Sequence, residues 1–85
     1  MNKPVSSPLS TLVAEALERY FEDLQGQPPA NLFELVIDQV ERPLLEIVMR
    51  ETGGNVSRAA QILGINRGTL RTRLNKYGIP GKGAR

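Results

Sequence analysis

Cysteine and histidine are both absent from this 85-residue sequence, and so is tryptophan. Without cysteine there is no disulfide and no thiolate chemistry, which fits a reducing compartment. Without cysteine and histidine together, the usual nucleophile–base pairs and zinc sites cannot be assembled. No apolar run reaches the length of a signal peptide core or a membrane span. A phosphate-binding glycine loop is missing as well: Gly81-Lys82 lacks the glycine five positions earlier that such a loop requires. Glu15, Glu18, Glu22, Asp23 and Glu34 are spaced along helical segments as solvated faces, not as an acid/base pair. No enzymatic activity, cofactor, metal or membrane partner is expected, and the expected location is the cytoplasm.

Acidic residues are also absent from one whole segment. Met1 to Gly54 holds all nine Asp/Glu and four Lys/Arg, whereas Asn55 to Arg85 holds seven Lys/Arg and no acid. The overall charge of +2 conceals this division. A basic segment without interleaved carboxylates suits a polyanion partner.

Strand signals are lacking, and the pattern present is helical throughout. Residues 1–7 are polar and expected to be disordered. In "PLSTLVAEALERYFEDLQG", Leu9, Leu12, Val13, Ala16, Leu17, Tyr20, Phe21 and Leu24 fall on one face of a 3.6-residue period. Pro8 suits the first turn and Gly26 the stop. This stripe is either core or a seam for a partner helix. After the turn "GQPPAN", Asn31 is placed to cap a second helix, with Glu34 completing a capping box. That helix carries Leu32, Phe33, Leu35, Val36, Ile37, Val40, Leu44, Leu45, Ile47, Val48 and Met49 around much of its circumference. One small domain cannot bury so much apolar surface, so the excess predicts a homodimer in which this helix meets its own copy. Pro43 predicts a kink within one long helix, or alternatively a break at Arg42-Pro43.

Two short helices follow. Asn55 is placed to cap "VSRAAQIL", Gly64 ends it, Asn66 is placed to cap "RGTLRTRLNKY", and Gly78 closes that one. Ala60 is small where the helices would pass, Gly64 permits the turn, and Ile65, Leu70, Leu63 and Leu74 form the expected buried side. This order of features predicts a helix-turn-helix over 55–79. The fold class is therefore all-α with four helices: a dimerisation core over 8–54, the helix-turn-helix, and a mobile tail over 80–85. In such a unit the start of the second helix enters the DNA major groove. Arg67 is expected to read a guanine edge. Asn66 is either a cap, a reader of adenine, or both. Arg71, Arg73 and Lys76 are expected at phosphates, with Thr69 and Thr72 as further donors. Arg58 reaches across the groove, and Asn55 and Ser57 offer donors at a helix N-terminus.

The stretch "RPLLEIVMRETGGNVSRAAQILGINRGTLRTRLNKYGI" resembles the C-terminal half of the Fis family, bacterial nucleoid-associated factors for inversion stimulation. The pattern "GN.SRAA..LGINRGTLR..L.KYG" is the specific part, and "PL...V..AL..YF..L.GQ" extends it more loosely, so that it covers roughly residues 8 to 79. The resemblance implies an intertwined four-helix homodimer whose two helix-turn-helix units sit in adjacent major grooves of double-stranded DNA on the nucleoid. It also implies DNA bending, few base contacts, and preference set by groove shape and flexibility. By matching positions the contacts would include Asn55, Ser57, Arg58, Asn66, Arg67, Thr69, Arg71, Arg73 and Lys76. Thr72 and Asn75 stand where enterobacterial members have lysines, which implies a smaller salt dependence. Seven residues before Pro8 are too few for the family's invertase-activating hairpin, so the chain is expected to bind and bend DNA without stimulating inversion.

Three other readings compete. The same motif resembles the DNA-binding end of bacterial enhancer-binding activators; Met1 and the self-contained helical core argue against a fragment of one. A helical module that binds another protein would tolerate charge reversal at Arg67 and Arg71. RNA binding is disfavoured because Tyr77 is the one aromatic of the basic segment.

Overall fold

The structure, a computed structural model, describes residues 8–82. The expectations for residues 1–7, including the short inversion arm, and for residues 83–85 lie outside the described residues. Helices α1 (Pro8–Leu24), α2 (Leu32–Glu51), α3 (Val56–Leu63) and α4 (Arg67–Tyr77) follow in order. Among the described residues there is no strand, only an isolated parallel bridge between Asn55 and Lys82. No described helix is long and apolar enough to cross a membrane.

The chain divides into two compact units, at the boundary between Leu32 and Phe33. In the first, α1 begins at Pro8 and ends where Gln25 (φ 53°) and Gly26 (φ 86°) turn left-handed. The Gln25 and Gln27 amides close that end by donating to the Glu22 and Leu24 carbonyls. None of the α1 residues is buried.

In the second unit, α2 runs through Pro43 without a break, so the two-helix alternative does not hold. Pro43 withholds only the one amide that would have reached the Gln39 carbonyl. Asn31 differs from the cap expected of it: its φ of 54° is left-handed, not the extended backbone of an N-cap. Asparagine tolerates this conformation, which a reversal straight into a helix demands.

The core is built from Leu45 and Met49 of α2, Val56, Ala59 and Ala60 of α3, and Leu70 and Leu74 of α4. Leu70 and Ala59 have no exposed surface at all. Val48, Leu63, Tyr77 and Ile79 pack around them. Gly64 makes the α3–α4 turn possible. Its φ of 74° is costly for any residue with a Cβ, and there its amide reaches the Ala60 and Gln61 carbonyls. Ile65, expected in the buried side, is 38% exposed. It sits in the turn, where its amide is tied back to Ala60 and its side chain leaves the α3–α4 contact.

Candidate nucleic-acid interface

The two caps expected of the helix-turn-helix are present. Asn55 is extended (φ −77°, ψ 106°) and its Oδ1 accepts from the Arg58 amide at 3.0 Å. Asn66 is extended (φ −67°, ψ 144°) and its Oδ1 accepts from the Gly68 amide at 2.7 Å and the Thr69 amide at 3.3 Å. These bonds satisfy donors that the first helical turn leaves open. Gly68 belongs to this arrangement, since a Cβ there would lie 3.1 Å from the Asn66 oxygen. The capping role of Asn66 is thus built into the fold.

Arg67 follows the cap at the outer start of α4, and its Nη1 donates to Ser57 Oγ at 2.9 Å. The bond joins the first turns of α3 and α4, so the Arg67 guanidinium is oriented before any ligand arrives. Arg58, Thr69, Arg71 and Asn75 are exposed. Thr72 is exposed too, but its hydroxyl donates to the Gly68 carbonyl at 3.2 Å. Such back-bonding spends on the helix a donor that a phosphate would otherwise receive.

Arg73 and Lys76 stand in a different environment. Arg73 Nε lies 3.2 Å from Glu41 Oε2, and Lys76 Nζ lies 2.9 Å from Asp38 Oδ1. The Tyr77 hydroxyl shares its one proton between Glu41 Oε1 at 2.6 Å and Asp38 Oδ1 at 3.0 Å. The Arg42 guanidinium and the Lys76 ammonium lie 5.3 and 5.5 Å from the Tyr77 ring centre. The hydrogen bond from Lys76, followed by that from Tyr77, holds the Asp38 carboxyl below its ordinary value of 3.8. Burial, and then the hydrogen bond to Glu41, pushes the Tyr77 phenol well above its ordinary value of 10.0. The acid-free basic segment is therefore acid-free only in sequence. α2 supplies two carboxylates to the C-terminal half of α4, and the first turns of α3 and α4 keep their cations.

Sequence reasoning missed Asp38, Glu41 and Tyr77 as a group, because nothing local links positions this far apart. It also gave no reason to expect the backbone of Lys82 beside Gly54 and Val56.

The chemistry on offer is anion binding. Guanidinium groups and hydroxyls are gathered around the junction of α3 and α4, and no group of three or more His, Cys, Asp or Glu among the described residues could hold a metal ion. The family model described as "Bacterial regulatory protein, Fis family" matches residues 36–77. The DNA-binding protein Fis of Proteus mirabilis is 56% identical over 72 residues, which is 85% of this chain and 74% of that protein. Its counterpart in Glaesserella parasuis is 51% identical over 75 residues, 88% and 76% of the two chains. That of Tolumonas auensis is 49% identical over 78 residues, 92% and 79%.

The chain belongs to the Fis family. In this Fis-family member the family model takes in most of α2 together with α3 and α4, the part that holds the core and the anion-binding junction. The identity to its relatives runs well beyond that match.

Proposed function

We propose that this chain is a Fis-type regulator that binds double-stranded DNA as a homodimer and bends it. The observation that carries the reading is the paired start of α3 and α4. Asn66 caps a helix whose next residue, Arg67, is held outward by Ser57 across a glycine turn. In a helix-turn-helix this end of the second helix faces base edges in the major groove. Arg67 is then the base-reading residue, and Asn66, its oxygen engaged in the cap, acts first as the cap. Asn55, Ser57, Arg58, Thr69 and Arg71 contact phosphate or sugar. Thr72 and Asn75 add little, and Arg73 and Lys76 reach phosphate only by exchanging Glu41 and Asp38 for it.

The exposed apolar residues support the dimer. Leu9, Leu12 and Phe21 of α1 and Phe33, Ile37, Leu44 and Ile47 of α2 are large apolar side chains with exposed surface. Residues 8–54 are the dimerisation part in this reading, and residues 55–79 the DNA-binding part. The protein works on the nucleoid in the cytoplasm, without catalysis. Identity to relatives over 72 residues or more favours this reading over an activator fragment or a protein-binding module.

The test is a gel-shift series on circularly permuted duplexes. The wild type should give position-dependent mobility and Arg71→Ala should weaken it. A dimer that neutralises about eight phosphates should lose roughly a thousandfold or more in affinity between about 50 and 200 mM salt. No shift at low salt would overturn the DNA reading. Retention of function after charge reversal at Arg67 and Arg71 would favour the protein-binding module.

A further inference from the structure

The described end of the chain is folded onto the helix-turn-helix. The Lys82 amide donates to the Gly54 carbonyl at 2.6 Å, and the Val56 amide donates to the Lys82 carbonyl at 3.1 Å. Together these bonds make the parallel bridge that pairs Lys82 with Asn55. Gly81 is the packing element of this return. A Cβ there would come within 2.7 Å of Val56 Cγ2 and 3.2 Å of Leu74 Cδ1, both atoms of core residues. The stem of Lys82 crosses Gly54, where a Cβ would meet its Cγ at 3.1 Å and its Cε at 3.3 Å. A lysine held in this way has lost part of its stem freedom while its ammonium stays at the surface.

The place where it is held matters. Lys82 pairs with Asn55, Asn55 caps the turn that carries Ser57 and Arg58, and Ser57 holds Arg67. A chain of backbone and side-chain bonds thus runs from the tail to the start of α4. Among the described residues no carboxylate pairs with the Lys82 ammonium, in contrast to Arg73 and Lys76 at the far end of α4.

We propose that Lys82 is a further phosphate-binding residue, carried to the α3 edge of the DNA-binding face by a tail that Gly81 lets into the core. The inference rests on the DNA reading above and extends the face beyond Ile79. Arg73 and Lys76 are engaged by the α2 carboxylates, whereas Lys82 lies beside Gly54 and Asn55 at the start of α3.

Salt-dependent fluorescence anisotropy on one labelled duplex tests this, with wild type, Lys82→Ala, Lys82→Arg and Gly81→Val. Each phosphate contact contributes about 0.9 to the slope of log affinity against log salt. Lys82→Ala should lower the slope by about 0.9 for each subunit engaged and leave Tm unchanged, while Lys82→Arg should keep the wild-type slope. Gly81→Val should lose the same slope and lower Tm as well, because it displaces the tail from Val56. A wild-type slope for Lys82→Ala overturns the proposal, whether or not its affinity falls. Failure of the wild type to bind any duplex removes the DNA reading itself, and this proposal with it.

Discussion

Asn66 and Arg67 are neighbours with different dependence on the fold. Asn66 is spent on two amides of its own helix, so Asn66→Ala should cost about 1 kcal/mol of stability, within the range of lost N-caps, by urea unfolding. Arg67 is spent on orientation. Its bond to Ser57 joins two helix starts and leaves the remaining guanidinium donors to a ligand. Arg67→Ala should therefore cost about 1–3 kcal/mol in binding a preferred duplex and narrow the gap between preferred and random sequences. Ser57→Ala should give a smaller loss in the same direction, since the guanidinium survives without its holder. Competition titrations decide this: if Arg67→Ala weakens every sequence equally, Arg67 is a phosphate contact and not a reader. These positions were legible in the sequence because caps and helix starts are local. An Asn before a helical period with glycine past its end needs no tertiary knowledge. The Ser57–Arg67 bond was not legible, because it depends on how two helices meet.

The contact between α2 and α4 shows what local patterns leave out. Helix limits were readable because apolar period, caps and glycine stops act within a few residues, and the continuity of α2 through Pro43 was one of the two options they allowed. Asp38 and Glu41 take no role from the local pattern, yet packing places them against Arg73, Lys76 and Tyr77. A pH dependence follows. Asp38 is held below 3.8 in the fold, so its deprotonated form is the one the fold stabilises. That contribution is present above the ordinary carboxylate value and is lost as pH falls through the depressed one. Tm of the wild type should exceed that of Asp38→Asn near neutral pH, and the two should converge in acid. Tyr77 runs the other way: its folded value is raised, so its contribution is complete below 10.0 and declines at higher pH. A Tyr77→Phe variant should lower Tm at neutral pH, with the difference shrinking in strong alkali. Equal Tm values for Tyr77→Phe and wild type at pH 7 would mean that the hydroxyl contributes nothing to the α2–α4 contact.

At the scale of the whole molecule the deciding quantity is apolar surface without cover. Seven residues form the buried core among those described, all of them in the second unit. Phe33 is 78% exposed, and Leu9 and Leu12 are more than half exposed. In the proposed homodimer a chain with so thin a core would gain stability by association, and a helix apolar around much of its circumference would find a second neighbour. The sequence showed this excess on α2 before any coordinates, because it follows from counting apolar positions against one face. Association that stabilises only the folded chain makes Tm rise with protein concentration. Wild type should therefore show a concentration-dependent Tm and sediment with the mass of two chains. Ile47→Glu places a charge on the exposed α2 face, outside the buried Leu45–Met49 contact with α3 and α4. It should lower Tm, sediment as one chain at micromolar concentration, and bind DNA far more weakly, because two linked recognition helices become two separate ones. A concentration-independent Tm with the mass of a single chain would overturn the dimer while leaving the α3–α4 junction, and its contacts with one groove, intact.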